Sequence, residues 1–209
     1  MTLAFRDLFA VDNAFHGIPL PGRTDAWILS DAATVHGIPR EALARFPQVY
    51  FEHLIVELDK PGSGRNGVMP GVRELLDRLA ARDDVYLALL TGNYEEAARL
   101  KLERFDLWRY FPCGAFGDDA PDRNGLLPKA IARIAECGGP SILAADAIVI
   151  GDTPLDVAVA RSGGARSIAV ATGNYSVEQL RESGADVVFE DLSDTEAVIA
   201  AILGHEPLI

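Results

Sequence analysis

Residues 147–164, AIVIGDTPLDVAVARSGG, carry the clearest fold signal in this sequence. A short apolar run ends at Gly151, and a helical pattern that begins near Pro154 follows it and ends in glycine. Asp152 and Asp156 lie four residues apart at this strand-to-helix turn. Carboxylate oxygens are the ligands that Mg2+ prefers, so the pair predicts a magnesium site. The alternative is that the two carboxylates cap the helix and stabilise its N-terminal end.

The same alternation of short apolar runs and helical patterns extends over the C-terminal two thirds of the chain. The predicted strands are VYLALL (85–90), CGAFG (113–117), AIVIG (147–151), RSIAVAT (166–172) and DVVF (186–189). Short apolar strands that alternate with helices are typical of parallel sheets covered on both sides. We therefore predict an α/β fold with a Rossmann-like parallel sheet that has helices on both faces.

The N-terminal part of the chain has a different pattern. Residues 1–60 contain helical periodicity and no convincing strand, so they predict a separate helical unit. The segment 61–67, PGSGRNG, is rich in glycine and proline and predicts a hinge. Residues 68–209 then form the α/β core.

Composition excludes several classes of function. The net charge of −12 and the lack of a basic stripe argue against nucleic-acid binding. The sequence has no apolar run of about 18 residues and no charged-then-apolar leader, so we predict a cytoplasmic protein without a membrane partner. The two cysteines, Cys113 and Cys137, form no C-x-x-C pair, and we expect them to be buried free thiols.

Polar residues follow the predicted strands, at the sheet edge where ligands bind in such folds. The tetrapeptide TGNY occurs twice at such a strand end, at 91–94 and at 172–175. A hydroxyl next to glycine, at a helix N-terminus with free N–H groups, can bind an oxyanion, which makes Thr91 a candidate. The alternative is that Thr and Asn only cap the next helix.

Lys129 is the candidate cation at this edge. It lies early in a helix that follows GLLP, residues 125–128, where its ammonium group could reach the strand ends. Thr and Lys can bind phosphoryl oxygens while carboxylates hold Mg2+. The alternative is an ordinary surface lysine.

Three segments resemble the second, third and fourth motifs of the haloacid dehalogenase-like hydrolases. They are LALLTGN (87–93), LLPKAI (126–131) and IVIGDTPLDVAVARSGGA (148–165), in the family's order and at ordinary spacing. MPGVRELLDRL (69–79) resembles the segment that re-enters the core after the cap. Residues 1–60 are similar to the cap of the phosphoglycolate-phosphatase and β-phosphoglucomutase-like branch, so the resemblance covers nearly the whole chain.

The resemblance implies a Mg2+-dependent phosphatase that acts on a small phosphorylated metabolite through an aspartyl-phosphate. Thr91 would bond to the phosphoryl group, and Lys129 would steady the nucleophile and the phosphoryl charge. Asp152 would bind the metal, and Asp156 would either bind it too or brace Lys129. Such a reaction depends mainly on positioning and charge neutralisation.

The resemblance also implies residues that bind the substrate. Gly92 and Asn93 continue the turn that begins at Thr91, and Arg23 lies on a loop of the cap, whose side chains close over the leaving group. Arginine can bind a carboxylate or a second phosphate in a bidentate manner. The alternative for Arg23 is an ordinary surface arginine beside a capped helix.

One motif of the family is missing. No aspartate in the sequence is followed two residues later by another, so the D-x-D pair that supplies the nucleophile is not present. We expect weak activity for these 209 residues. Either Met1 is an internal methionine of a longer protein, or a partner's segment fills the sheet between the strands that lead to Thr91 and Asp152. A phosphomutase or dehalogenase on the same scaffold, or a phosphate-binding protein without catalysis, are the alternatives.

Overall fold

The computed structural model describes residues 1–60, 67–120 and 122–204. The predicted hinge at 61–67, apart from Gly67, therefore lies outside the described residues. The N-terminal region is helical. Its helices are α1 (Thr2–Phe9), α2 (Asp25–Val35), a 3-10 helix (Arg40–Arg45) and α3 (Phe46–Leu58).

An aromatic cluster holds these helices together. Phe5 of α1 is fully buried, and its ring centroid lies 4.8 Å from that of Phe9 and 6.1 Å from that of Phe46. Tyr94, which belongs to the core, lies in the same cluster of buried residues. The helical region, which we call the cap, is thus packed directly onto the core.

The core contains short parallel strands and helices in alternation, as the sequence predicts. Its strands are β1 (Leu89–Leu90), β2 (Gly114–Ala115), β3 (Ile148–Gly151), β4 (Arg166–Val170) and β5 (Val187–Phe189). Its α-helices are α4 (Val72–Ala80), α5 (Glu95–Glu103), α6 (Leu126–Glu136), α7 (Pro154–Gly163), α8 (Val177–Glu182) and α9 (Thr195–Leu203).

Helices cover both faces of the strands. On one face, Leu90 packs with residues of α6 and α7, such as Leu127 and Val159, next to Val149 of β3. On the other face, α4 and α9 pack together and contact Leu87 and Phe189. Leu87 and Leu90 are separated by an odd number of positions and point to opposite faces, as the two-residue period of a strand requires.

The strands form two hydrogen-bonded groups rather than one continuous sheet within the described residues. β1 pairs with β2, and β4 lies between β3 and β5, with all neighbours parallel. The break falls between β1 and β3, where the resemblance places the first strand of the family. It leaves the Ile150 side chain of β3 39% exposed. The strand predicted over 85–90 is correspondingly short, because only its last two residues pair with a neighbour.

Candidate functional site

The turn after β1 is the first component of the site. Thr91 donates its backbone N–H to Ala115 of β2 at 3.0 Å, and its hydroxyl oxygen accepts the Asn93 N–H at 3.2 Å. The hydroxyl thereby shapes the turn and keeps its own hydrogen for a ligand. Helix α5 begins after Tyr94, whose side chain forms no capping hydrogen bond, and the Glu95 N–H donates to Asp118 at 3.3 Å. The alternative that Thr91 and Asn93 merely cap this helix is therefore wrong.

The cap covers this turn closely. The Asp25 N–H donates to the carbonyl oxygen of Gly92 at 2.7 Å. A Cβ atom on Gly92 would lie 2.4 Å from the carbonyl oxygen of Arg23, so only glycine fits here. The Asn93 side chain accepts a hydrogen bond of 2.8 Å from the ammonium group of Lys101. Gly92 and Asn93 thus dock the cap, and their contact with a substrate stays a prediction.

The turn after β3 is the second component. Thr153 is the N-cap of α7, and its hydroxyl accepts the Asp156 N–H at 3.3 Å. In return, Asp156 Oδ2 accepts the backbone N–H of Thr153 at 3.0 Å and its hydroxyl at 2.8 Å. This reciprocal arrangement is a capping box. Asp156 therefore caps the helix, which was the alternative to metal binding given above.

Asp152 has no such structural role. It is half-buried, and burial, together with the neighbouring charge of Asp156, raises its pKa above the ordinary value. A Cβ atom on Gly173 would lie 2.2 Å from Asp152 Oδ2, so the carboxylate lies directly over the second TGNY segment. Asp152 faces an open cleft of about 560 Å3. The cleft is lined by Leu20, Pro21, Gly22, Asp152, Thr153, Gly173, Asn174 and Tyr175.

The cation at this edge is Arg123, which the sequence analysis missed. Arg123 Nη2 bonds to Asp156 Oδ1, and both side chains are largely buried. Its Nη1 lies 3.1 Å from the position that a Cβ atom on Gly92 would take, so one guanidinium reaches both strand-end turns. Its Nε is buried and has no hydrogen-bond partner among the described residues. A basic residue directly before α6 was the signal that could have revealed it.

Lys129 was the wrong choice for this cation. It lies in the first turns of α6, where Leu126, Leu127 and Ala130 are buried against the core. The helical period therefore turns Lys129 away from the core, and the residue is exposed. This is the surface position given above as the alternative. The residue that Asp156 braces is Arg123.

Arg23 also differs from expectation. Its side chain is only 8% exposed, and its guanidinium forms an ion pair of 2.6 Å with Asp31. The guanidinium also stacks over the Trp27 ring, 3.8 Å from the centroid. The charge of Arg23 is thus neutralised inside the cap rather than displayed on a surface loop. Its contact with a substrate stays a prediction.

The described residues fit a magnesium ion only in part. Asp152 offers one half-buried carboxylate, whereas both oxygens of Asp156 are engaged by Arg123 and Thr153. No group of three or more His, Cys, Asp or Glu side chains in the described parts of the chain is arranged to hold a metal. Mg2+ usually keeps several waters and takes one or two carboxylates together with substrate phosphate, so Asp152 alone does not complete a site.

Comparison with known proteins finds one matching family model and several similar proteins. Residues 124–195 match the HAD-hydrolase-like family model. Phosphoglycolate phosphatase 1 of Pseudomonas aeruginosa is 30% identical over 154 residues, which cover 73% of this chain and 52% of that protein. The chain spans about half the length of the curated relatives it matches.

Solved structures share the fold. A β-phosphoglucomutase from Clostridium difficile has a TM-score of 0.67 at 16% identity, with 97% of this chain and 89% of that chain covered. A predicted phosphoglycolate phosphatase from Haemophilus somnus has a TM-score of 0.63 at 18% identity, with coverage of 95% and 88%. At these identities the likeness shows the fold alone.

Fold and site define an α/β protein with a helical cap and a polar edge at the carboxyl ends of parallel strands. With the family match over residues 124–195 and the curated relatives, the chain is similar to the haloacid dehalogenase-like hydrolases, in particular to phosphoglycolate phosphatases. None of its helices, among the residues that the structure describes, is long and apolar enough to span a bilayer.

Proposed function

We propose that this protein is a phosphatase-type hydrolase of small phosphorylated metabolites that binds the phosphoryl group between the 91–93 and 152–156 turns. The observation that carries the proposal is the position of Arg123. Its guanidinium bonds to Asp156 and approaches Gly92, and its buried Nε lacks a partner among the described residues. A buried N–H donor without an acceptor is costly, and a phosphoryl oxygen would supply the acceptor.

Electrostatics support this placement. The chain carries a net charge of −12, so an anionic ligand needs a local source of positive charge. Arg123 supplies a full charge, and the positive end of the α7 helix dipole lies at the same edge. The Thr91 hydroxyl completes the set with a neutral donor on the other turn.

A divalent cation would bind at Asp152. When bound, Mg2+ would neutralise phosphoryl oxygens and favour transfer. The chain's own residues do the rest of the binding: Arg123 and Thr91 orient the phosphoryl group, and cap residues 20–22 border the cleft. Lys129 has no place in this arrangement, because it is exposed on α6.

The covalent step is not assigned to any residue of this chain, because the sequence contains no D-x-D pair. That fact favours a second candidate, a phosphate-binding protein of the same fold without catalysis. The two candidates share the binding edge and differ only in turnover.

A thermal-shift titration with inorganic phosphate tests the binding edge. We expect phosphate to raise the melting temperature of the wild type and of Lys129→Met, which serves as the matched control for loss of one cation. Arg123→Met should lose this shift, and Arg123→Lys should recover part of it because an ammonium group keeps the charge but not the fork of donors. An equal shift in the wild type and Arg123→Met would contradict the proposed site.

Phosphate release separates the two candidates. Phosphoglycolate and other small phosphate monoesters are incubated with Mg2+ and the wild-type protein, and free phosphate is measured. Turnover that falls in Asp152→Asn supports the hydrolase. Binding without turnover supports the non-catalytic protein, and a chain extended upstream to include a D-x-D strand should then gain activity if the parent is an enzyme. No phosphate binding by the wild type overturns both candidates.

A further inference from the structure

We propose that Cys113 and Cys137 form a reversible intramolecular disulfide when the protein meets a small disulfide oxidant such as oxidised glutathione. The pair was expected to consist of two buried, unrelated thiols. In the structure both are free, Cys137 is exposed and Cys113 is partly exposed. Cys113 directly precedes β2, Cys137 is the C-cap of α6, and α6 packs against β2.

The register of α6 on β2 places the two residues side by side. Ala115 of β2 packs against Leu126 and Ala130 of α6, so the α6-facing side of the strand is known. Cys113 is two residues before Ala115 and therefore points to the same face. The helix runs opposite to the strand, since residues further along α6 lie against earlier residues of the strand.

One hydrogen bond fixes this register near the cysteines. Arg133 Nη1 donates to the carbonyl oxygen of Gly114 at 3.0 Å. Cys137 is four residues after Arg133, on the same face of the helix one turn further along, and its N–H bonds to the Arg133 carbonyl at 2.8 Å. Cys113 is the residue directly before Gly114 in the chain.

Tyr86, in the segment before β1, contacts residues near both cysteines. Its hydroxyl donates to the Cys113 sulfur at 3.8 Å. Its ring packs on Gly139, where a Cβ atom would lie 2.6 Å from the ring. Burial raises the pKa of Cys113, and the Cys137 thiol adds to this effect while the Tyr86 hydroxyl opposes it. Tyr86 thus contacts both the Cys113 sulfur and the glycine two residues after Cys137.

The exchange proceeds in two balanced steps. The exposed Cys137 thiolate attacks one sulfur of the small disulfide, which forms a mixed disulfide and releases one small thiol. Cys113 then loses its proton and attacks the Cys137 sulfur, which releases the second small thiol. Two protein thiols are oxidised to one disulfide, and the small disulfide is reduced to two thiols.

The crosslink would lie at the opposite end of β2 from the candidate site. It would close a loop that contains β2, Arg123 and α6, and a crosslink of this kind restricts the unfolded chain. We therefore expect oxidation to raise the melting temperature by roughly 5–10 °C. The shift that phosphate causes should be unchanged, because the strand ends that carry Thr91 and Asp152 are not touched.

The test treats the wild-type protein with oxidised glutathione and follows intact mass and non-reducing peptide maps. We expect a mass lower by two hydrogens, a linked peptide pair that contains Cys113 and Cys137, a monomer on a non-reducing gel, and full reversal by a reducing thiol. Cys113→Ser should stop at a glutathione adduct on Cys137, because the second thiol is missing.

Three results would overturn the proposal. In the first, the wild type keeps both thiols free. In the second, it accumulates glutathione on both cysteines without a crosslink, and in the third it forms only disulfide-linked dimers. A Cys113→Ser protein without any adduct would contradict the order of steps. Cys137→Ser gives the complementary control, since the partly buried Cys113 should react more slowly than Cys137.

Discussion

The tetrapeptide TGNY occurs at two strand ends, and the structure uses the two copies differently. The first copy (91–94) is enclosed by the cap: Gly92 lies against the Arg23 backbone, and the Tyr94 N–H donates to Asp25 at 3.0 Å. The second copy (172–175) lines the open cleft. Identical residues at equivalent positions of an α/β fold thus become a docking element in one place and the wall of a cleft in the other.

The difference comes from what lies opposite each copy. Opposite Gly92 is a backbone carbonyl, whereas opposite Gly173 is the movable carboxylate of Asp152. Neither copy provides a capping side chain for the helix that follows it. The N-cap of α8 is Ser176, which lies after the second copy, and Tyr94, the N-cap of α5, forms no side-chain capping bond. Function at these turns therefore depends on the neighbours, which the tetrapeptide itself does not encode.

The largest effect should follow Gly92→Ala. The new Cβ would lie 2.4 Å from the Arg23 carbonyl oxygen and 3.0 Å from its carbon, and backbone atoms cannot move aside without displacing the cap. We expect a loss of about 3 kcal/mol in the free energy of unfolding, at the upper end of the range for overpacking. Urea denaturation measures this loss.

Gly173→Ala is the matched comparison. The nearest atoms to its Cβ would all belong to the Asp152 side chain, whose carboxylate can rotate away. We expect a loss of less than about 1 kcal/mol, since a movable side chain relieves most of the strain. Equal losses in the two variants would show that the cap does not enclose the first copy more tightly than the second.

The asparagines of the two copies should differ next. Asn93→Ala removes the acceptor of the Lys101 ammonium group, whose pKa burial lowers, so a largely desolvated cation would lose its hydrogen bond. We expect a loss of about 1–2 kcal/mol. Asn174 is exposed, and Asn174→Ala should change the free energy of unfolding by no more than about 0.5 kcal/mol. Thermal melts of both variants test whether Asn93→Ala loses more stability than Asn174→Ala. A larger loss in Asn174→Ala would contradict this prediction.

Much of the fold was predictable from period and turn residues. The strand at 148–151, the helix that starts at Pro154 and the helical region before residue 60 all follow from local patterns. The length of the strand near 85–90 was not predictable. A strand exists only where a neighbour pairs with it, and the break beside β1 leaves most of this run unpaired.

The site was predicted in part, for a related reason. Strand ends identify the turns, so the positions of Thr91 and Asp152 at the sheet edge were predictable, but the choice of cation depends on helix phase. The buried positions Leu126, Leu127 and Ala130 fix that phase, and they direct Lys129 outward. Arg123 lies in a short 3-10 helix (Arg123–Gly125) before α6, and only the three-dimensional contact with Asp156 reveals it.

The smallest effect is on the pH dependence of the free energy of unfolding. Within the described part of the chain, only the first copy contacts a buried aspartate, Asp25, whose titration we expect to change stability. Asp25, which accepts the Tyr94 N–H of the first copy, is 5% exposed. Burial raises its pKa, and Lys101 and the Tyr94 N–H oppose the rise. Between the ordinary pKa of an aspartate and this raised value, the folded protein keeps a proton that the unfolded chain has lost. The contribution of Asp25 to stability therefore falls as pH rises through this window.

Asp25→Asn cannot titrate but can still accept the Tyr94 N–H through its amide oxygen. The stability of the wild type relative to Asp25→Asn should thus decrease from about pH 4 upward and become constant above the raised pKa. Urea unfolding at a series of pH values measures the difference. Asn174→Ala, on the second copy, should keep the pH profile of the wild type. Parallel profiles for the wild type and Asp25→Asn would mean that docking of the first copy does not depend on the protonation of Asp25, and the contrast between the two copies would then be steric alone.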